Sequence, residues 1–262
     1  MWAFEAALDA NSLTYAEAGF IGIRRVCGTG TRLYLEASIL LAVCKLRLHK
    51  VPEAKKLVRE VISKLNHIKS DRRRRQFQRR LIERIEQECI LSELIGTNEG
   101  PLDPQEIHSK AVLLIQKNSD EEILMLIGNA MPAQTLYLLK DVRDYSILQL
   151  PAPDRKCLPA PAQAEKPSHI GKMAFEAIRR VAWKVLCSPE SELFKLWSRK
   201  IPKVYNQAYF ATAITTTFAN WRIGIPLLAS GVAALVMKHA ALEFCELAKP
   251  KGLMINQDET DE

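Results

Sequence analysis

The sequence lacks the short signatures that mark common chemistries. Its six cysteines (Cys27, Cys44, Cys89, Cys157, Cys187 and Cys245) form no CxxC pair, no HExxH occurs, and Gly28-Thr29-Gly30-Thr31 is not followed by GK[ST]. GxSxG is also missing. Structural zinc clusters, zincin chemistry, Walker-type phosphate binding and a nucleophile elbow are therefore without their sequence marks. The five histidines (His49, His67, His108, His169 and His239) show no metal-ligand spacing. The chain is expected not to be an enzyme, with no catalytic residue, metal or cofactor. Aromatic residues make up only 7% of the chain and glycine only 11 residues, against 48% hydrophobic and 26% charged. That balance excludes collagen, mucin-like stalks and wholesale disorder. Glu5 and Asp9 interrupt the first apolar stretch and no basic region precedes it. No secretory signal is expected, so the thiols are expected to be reduced rather than paired.

What the chain does have is helical periodicity over 262 residues, enough for one large domain or two small ones. From Leu33 to His49, residues Leu33, Ala37, Leu40, Leu41, Cys44 and Leu48 fall at three- and four-residue steps. Lys50-Val51-Pro52 breaks the pattern. Glu53 to Ile68 restarts it with Ala54, Leu57, Val58, Val61, Ile62 and Leu65. Asp71 to Ile95 forms the next helix, stopped by Gly96. Pro104 then opens another that runs to Gln116, and the segment SDEE at Ser119 carries an N-cap serine followed by acids that suit the helix dipole. Strand is hinted at only in Thr135–Leu139 and Tyr145–Leu150. The stretch LAVCKLRLHKVPEAKKLVREVI, in which Pro52-Glu53-Ala54 opens the second helix, resembles a tetratricopeptide unit. The resemblance spans about 30 residues and implies a repeat-like bundle that binds a protein partner. No clean 34-residue repeat follows it.

Residues 150–167, LPAPDRKCLPAPAQAEKP, hold five prolines and read as a semi-rigid, extended linker. The predicted organisation is all-α: a helical interaction domain at 1–149, the linker at 150–167, and basic amphipathic helices at 168–203. An apolar helical hairpin follows at 204–248, with an acidic tail at 249–262. Within 168–203, Lys172, Arg179, Arg180 and Lys184 lie opposite Phe175, Ile178, Val181, Ala182 and Val185. A second helix, with Leu193, Leu196, Trp197 and Ile201, follows Ser188-Pro189.

Charge is the other strong signal. The net +7 is concentrated in residues 1–100, which carry 18 basic and 12 acidic side chains. Arg72, Arg73, Arg74, Arg75, Arg79 and Arg80 fall within nine residues. They are candidates for an anionic partner (an acidic protein surface or nucleic acid phosphates), and equally for the solvated half of a helix paired with Glu83, Glu86 and Glu88. By contrast, residues 204–237 contain one charge, Arg222.

Three readings of that stretch stay open: a hairpin in the bilayer, a single span from Ile223 to Cys245, or the core of an α-domain. For insertion, Tyr205, Tyr209, Trp221, Arg222 and Lys238 are the expected membrane contacts. Ala208, Thr212, Thr216, Ala229 and Gly231 are the expected helix-packing positions. Lys172, Arg179, Arg180 and Lys184 would then meet anionic lipid from the cytoplasmic face of the inner or plasma membrane. The run IGIPLLASGVAALVMKHAALEFCE and the basic stretch before it resemble membrane-directed components of bacterial anti-phage systems. That resemblance implies a non-enzymatic effector or anchor that assembles as a homo-oligomer. A cytoplasmic helical adaptor for a protein partner and a nucleic-acid-binding accessory protein are the alternatives.

Overall fold

In the computed structural model, residues 1–97, 100–156, 158, 160–189, 191, 195, 208–238 and 245 are described. They are helical, and no strand occurs among them. They cluster into two compact units, each discontinuous in sequence.

The first unit contains Met1–Ser92 and Gln134–Ala160. It begins with α1 (Trp2–Asp9) and α2 (Leu13–Val26), joined through Asn11 in the left-handed region at φ 58°. Phe4 packs its ring on Tyr15 and Phe20, over Gly19, where any Cβ would collide with the Phe4 ring. Next come α3 (Arg32–Arg47) and α4 (Val51–Ser63), turning at His49 with φ 55°; a 3-10 turn, Leu65–His67, follows. The expected hairpin is present. On α4 the buried residues are Ala54, Leu57, Val58, Val61 and Ile62, a single face. α3 differs: it is buried on nearly every side from Tyr34 to Leu46, because α2 and α4 both pack on it. Helix α5 (Asp71–Leu94) contributes Phe77, Leu81, Ile85 and Cys89 to the core, and α8 (Ala133–Leu148) contributes Leu139 and Val142.

Two expectations are corrected here. Thr135–Leu139 and Tyr145–Leu150 are not strand: all but the last two of these residues lie in α8. The inward stripe Thr135, Leu139, Val142 and Ser146 repeats at helical steps, and its burial overrides the local β preference. The proline-rich segment is not simply extended either. It forms one-turn helices α9 (Ala152–Arg155) and α10 (Pro161–Ala164), with proline at first-turn positions, where no amide donor is needed. Asp154 of α9 is buried and accepts from Gln78 Nε2 at 3.1 Å, so this segment is tied down.

The second unit contains Glu93–Ala133 and the described residues from Pro161 on. The chain therefore does not divide at 150–167 alone, since α6 (Pro104–Lys117) and α7 (Asp120–Asn129) belong with the C-terminal helices. The serine cap of α7 is built as a reciprocal pair: Ser119 Oγ accepts from Glu122 N, while Ser119 N donates to Glu122 Oε2 at 2.7 Å. Helix α11 (Pro167–Leu186) lies on α7 at backbone contact. Gly128 faces the Pro167 carbonyl and Gly171 faces the Leu124 carbonyl, with no room at either for a Cβ.

Helices α12 (Ala208–Asn220) and α13 (Pro226–Lys238) form an apolar pair around Trp221–Ile225, with Arg222 at φ 53°. Every residue of α13 from Leu228 to Val236 is buried, and α6, α7 and α12 pack on it. No helix among the described residues is long and apolar enough to cross a membrane. Cys187 and Cys245 are bonded as a disulfide, which corrects the expectation of unpaired thiols; Cys27, Cys44 and Cys89 are free.

Candidate functional site

The arginine run occupies the start of α5. Ser70 launches the helix: its carbonyl accepts from Arg74 N at 2.8 Å and its hydroxyl from Arg73 N at 3.4 Å. Phe77, Gln78, Leu81, Ile82 and Ile85 turn inward and fix the rotation of the helix. That rotation leaves Arg72, Arg73, Arg75 and Arg79 exposed, with Arg72, Arg75 and Arg79 three and four residues apart on one side. Arg74 pairs with Asp71 at 2.7 Å, and Arg75 reaches Asp154 at 3.5 Å. Arg80 is half-buried. Among the described residues, Arg72, Arg73 and Arg79 make no ion pair.

The arrangement opposes the fold's own electrostatics. Like charges at three- and four-residue spacing repel by roughly 0.2–0.5 kcal/mol per pair. Cations in a first turn also oppose the positive end of the helix dipole. Of the downstream glutamates anticipated as partners, Glu86 and Glu88 are buried, whereas Glu83 is exposed one turn beyond Arg79 and Arg80. Glu88 is held by Arg47, and burial pushes Glu86 up to about 7, against the Arg143 guanidinium that lowers it.

The second basic face is broken up. On α11, Lys172 is exposed, Arg179 is paired with Glu176 and Arg180 is buried; the Lys184 side chain lies outside the described residues.

The expected membrane contacts among the described residues do not form a belt. Trp221 is buried and Arg222 exposed, whereas Lys238 donates to Asp120 Oδ1 at 2.7 Å and to the Asn118 carbonyl at 3.0 Å. Lys238 thereby bridges the end of α6 and the start of α7 instead of reaching out of the unit. Tyr205 and the side chain of Tyr209 lie outside the described residues.

The packing positions divide. Ala229 and Gly231 are buried, but the tight neighbour of Gly231 is α7, not α12: a Cβ there would lie 2.7 Å from Ile127 Cγ1. Thr216 is exposed and Thr212 half-buried, because α12 turns the larger Phe210, Ile214 and Phe218 inward. The Ala208 side chain lies outside the described residues.

One cluster was not anticipated. Tyr34 Oη donates to Glu60 at 2.5 Å, Arg24 and Lys64 each reach Glu60 at 2.8 Å, and both cations flank the Tyr34 ring at 5.0 and 4.7 Å. Burial would raise the Glu60 carboxyl, but its bonds to Lys64 and Tyr34, with Arg24 alongside, hold it below the usual range. Only the four-residue Glu60–Lys64 spacing signalled it in sequence. The cluster clamps α2, α3 and α4 together. Among the described residues, no group of three His, Cys, Asp or Glu side chains is placed to hold a metal ion. No family, no curated protein and no solved structure matches this chain.

Proposed function

We propose that this chain is a non-enzymatic helical scaffold whose first unit engages an acidic protein partner through the arginine face of α5. The supporting observation is that Arg72, Arg73 and Arg79 are exposed and unmatched by a carboxylate among the described residues, with Arg72 and Arg79 each at repelling spacing from Arg75. An acidic surface would relieve that repulsion. The repeat-like α3–α4 hairpin suits a scaffold that presents such a face. The membrane-effector reading needs the side chains of α13 in lipid; they are enclosed by α6, α7 and α12, so it would require the second unit to open.

The test compares the full chain with Arg72→Gln/Arg73→Gln/Arg79→Gln, using poly-glutamate, mixed-sequence duplex DNA and anionic vesicles as probes. The expected result is salt-sensitive poly-glutamate binding, weakened about tenfold in the variant, as three exposed pairs of about 0.5 kcal/mol each imply. Equal poly-glutamate binding by the two proteins would overturn the reading. Tighter retention on DNA, lost in the variant, would replace it with the nucleic-acid one. Vesicle binding that survives the variant would restore the membrane one.

A further inference from the structure

Cys187 ends α11 as its C-cap, and its sulfur is bonded to that of Cys245, 58 residues later. The closed loop includes α12 and α13. A second tie lies one turn earlier on α11, where Trp183 Nε1 donates to the Cys245 carbonyl at 2.9 Å. The two sulfurs are not equivalent: Cys187 is buried, whereas Cys245 is partly exposed.

We infer that Cys187–Cys245 is a thiol–disulfide exchange site, opened by a dithiol reductant attacking at Cys245, that latches residue 245 to the end of α11. One thiolate of the reductant forms a bond to Cys245 Sγ. The Cys187–Cys245 bond breaks, and its electron pair goes to Cys187, which takes a proton. The second thiol of the reductant then displaces Cys245, which is protonated in turn, and the reductant leaves as its own disulfide. Two electrons and two protons are transferred. After reduction the Trp183 hydrogen bond still ties residue 245 to α11. This inference does not depend on the arginine face, and either can fail alone.

The test equilibrates the full chain in glutathione buffers of graded ratio, blocks thiols under denaturing conditions and maps peptides by mass spectrometry. A cross-linked 187–245 peptide is expected in oxidised buffer, with glutathione captured on Cys245 at intermediate ratios. Dithiothreitol should lower Tm by about 10 °C, reversibly, as opening a loop of this length implies. Cys187→Ser/Cys245→Ser should melt at the lowered temperature with or without reductant. If that variant does not fold, the reversible shift of the unsubstituted chain still gives the answer. Alkylation of both Cys187 and Cys245 in fully oxidised buffer, glutathione captured on Cys187, or a Tm unmoved by reduction would each overturn the inference.

Discussion

Arg47 and Glu88 form a two-point ion pair in the interior of the first unit, Nε to Oε2 at 2.7 Å and Nη2 to Oε1 at 3.0 Å. Both side chains are fully enclosed, and Arg47 Nη1 also donates to the Leu8 carbonyl at 2.5 Å. One guanidinium thus fastens α1, α3 and α5. Desolvation of both charges makes such a pair a weak net stabiliser but a severe liability when halved. Arg47→Met should cost about 3–5 kcal/mol, read from the urea midpoint of helical circular dichroism. Arg47→Met with Glu88→Leu should recover most of the loss; a double variant as unstable as the single one would refute the account.

Glu86 gives the first unit a pH dependence of opposite sign to an ordinary surface carboxylate. Burial raises it to about 7, opposed by Arg143 and reinforced by Glu83, so the folded chain binds this proton more tightly than the unfolded chain does. The associated stability is present at pH 4.5 and is lost as pH rises towards 7, by at most about 1.4 kcal/mol per unit. Glu86→Gln should flatten that part of the stability profile between pH 5 and 7. An unchanged slope would place the titration elsewhere.

Glycine-to-alanine substitutions should split in sign by location. At Gly171 a methyl group meets the Leu124 carbonyl, a backbone atom that cannot swing away, so Gly171→Ala should destabilise by about 3 kcal/mol. Gly22, on the exposed side of α2, has nothing within 4 Å of a built Cβ. There, Gly22→Ala should stabilise by about 0.5–1 kcal/mol. Thermal melts of the two variants check both, and a stabilised Gly171→Ala would show that α7 and α11 are not in backbone contact.

The sequence was most readable where structure is set within a few residues. Ser119 announced its cap, and the apolar spacing in Ala54–Ile62 announced its buried face. Reading failed where distant residues decide. The close approach at Gly128–Pro167 and Gly171–Leu124 draws α7 to α11, and nothing local to residues 104–129 signals that pairing. Residues 226–238 are apolar on every side, a pattern that suits lipid and a crowded protein interior equally, so only the packed neighbours distinguish them. At the candidate site, the arginines were legible as charge. Asp154, which reaches both Arg75 and Gln78, was not, because it lies in a proline-rich segment read as a spacer.

The discontinuity of the two units bears on how the chain is made. Residues 93–133 leave the ribosome before α11 or α13 has been synthesised, so the inner faces of α6 and α7 have no native cover at that stage. At roughly 5–20 residues per second, translation of the stretch from Ala130 to Lys238 leaves Ile107, Ile123 and Ile127 waiting for several seconds. During that interval the nascent polypeptide offers a sticky surface to chaperones and to other nascent chains, and slow codons in this stretch would lengthen the exposure.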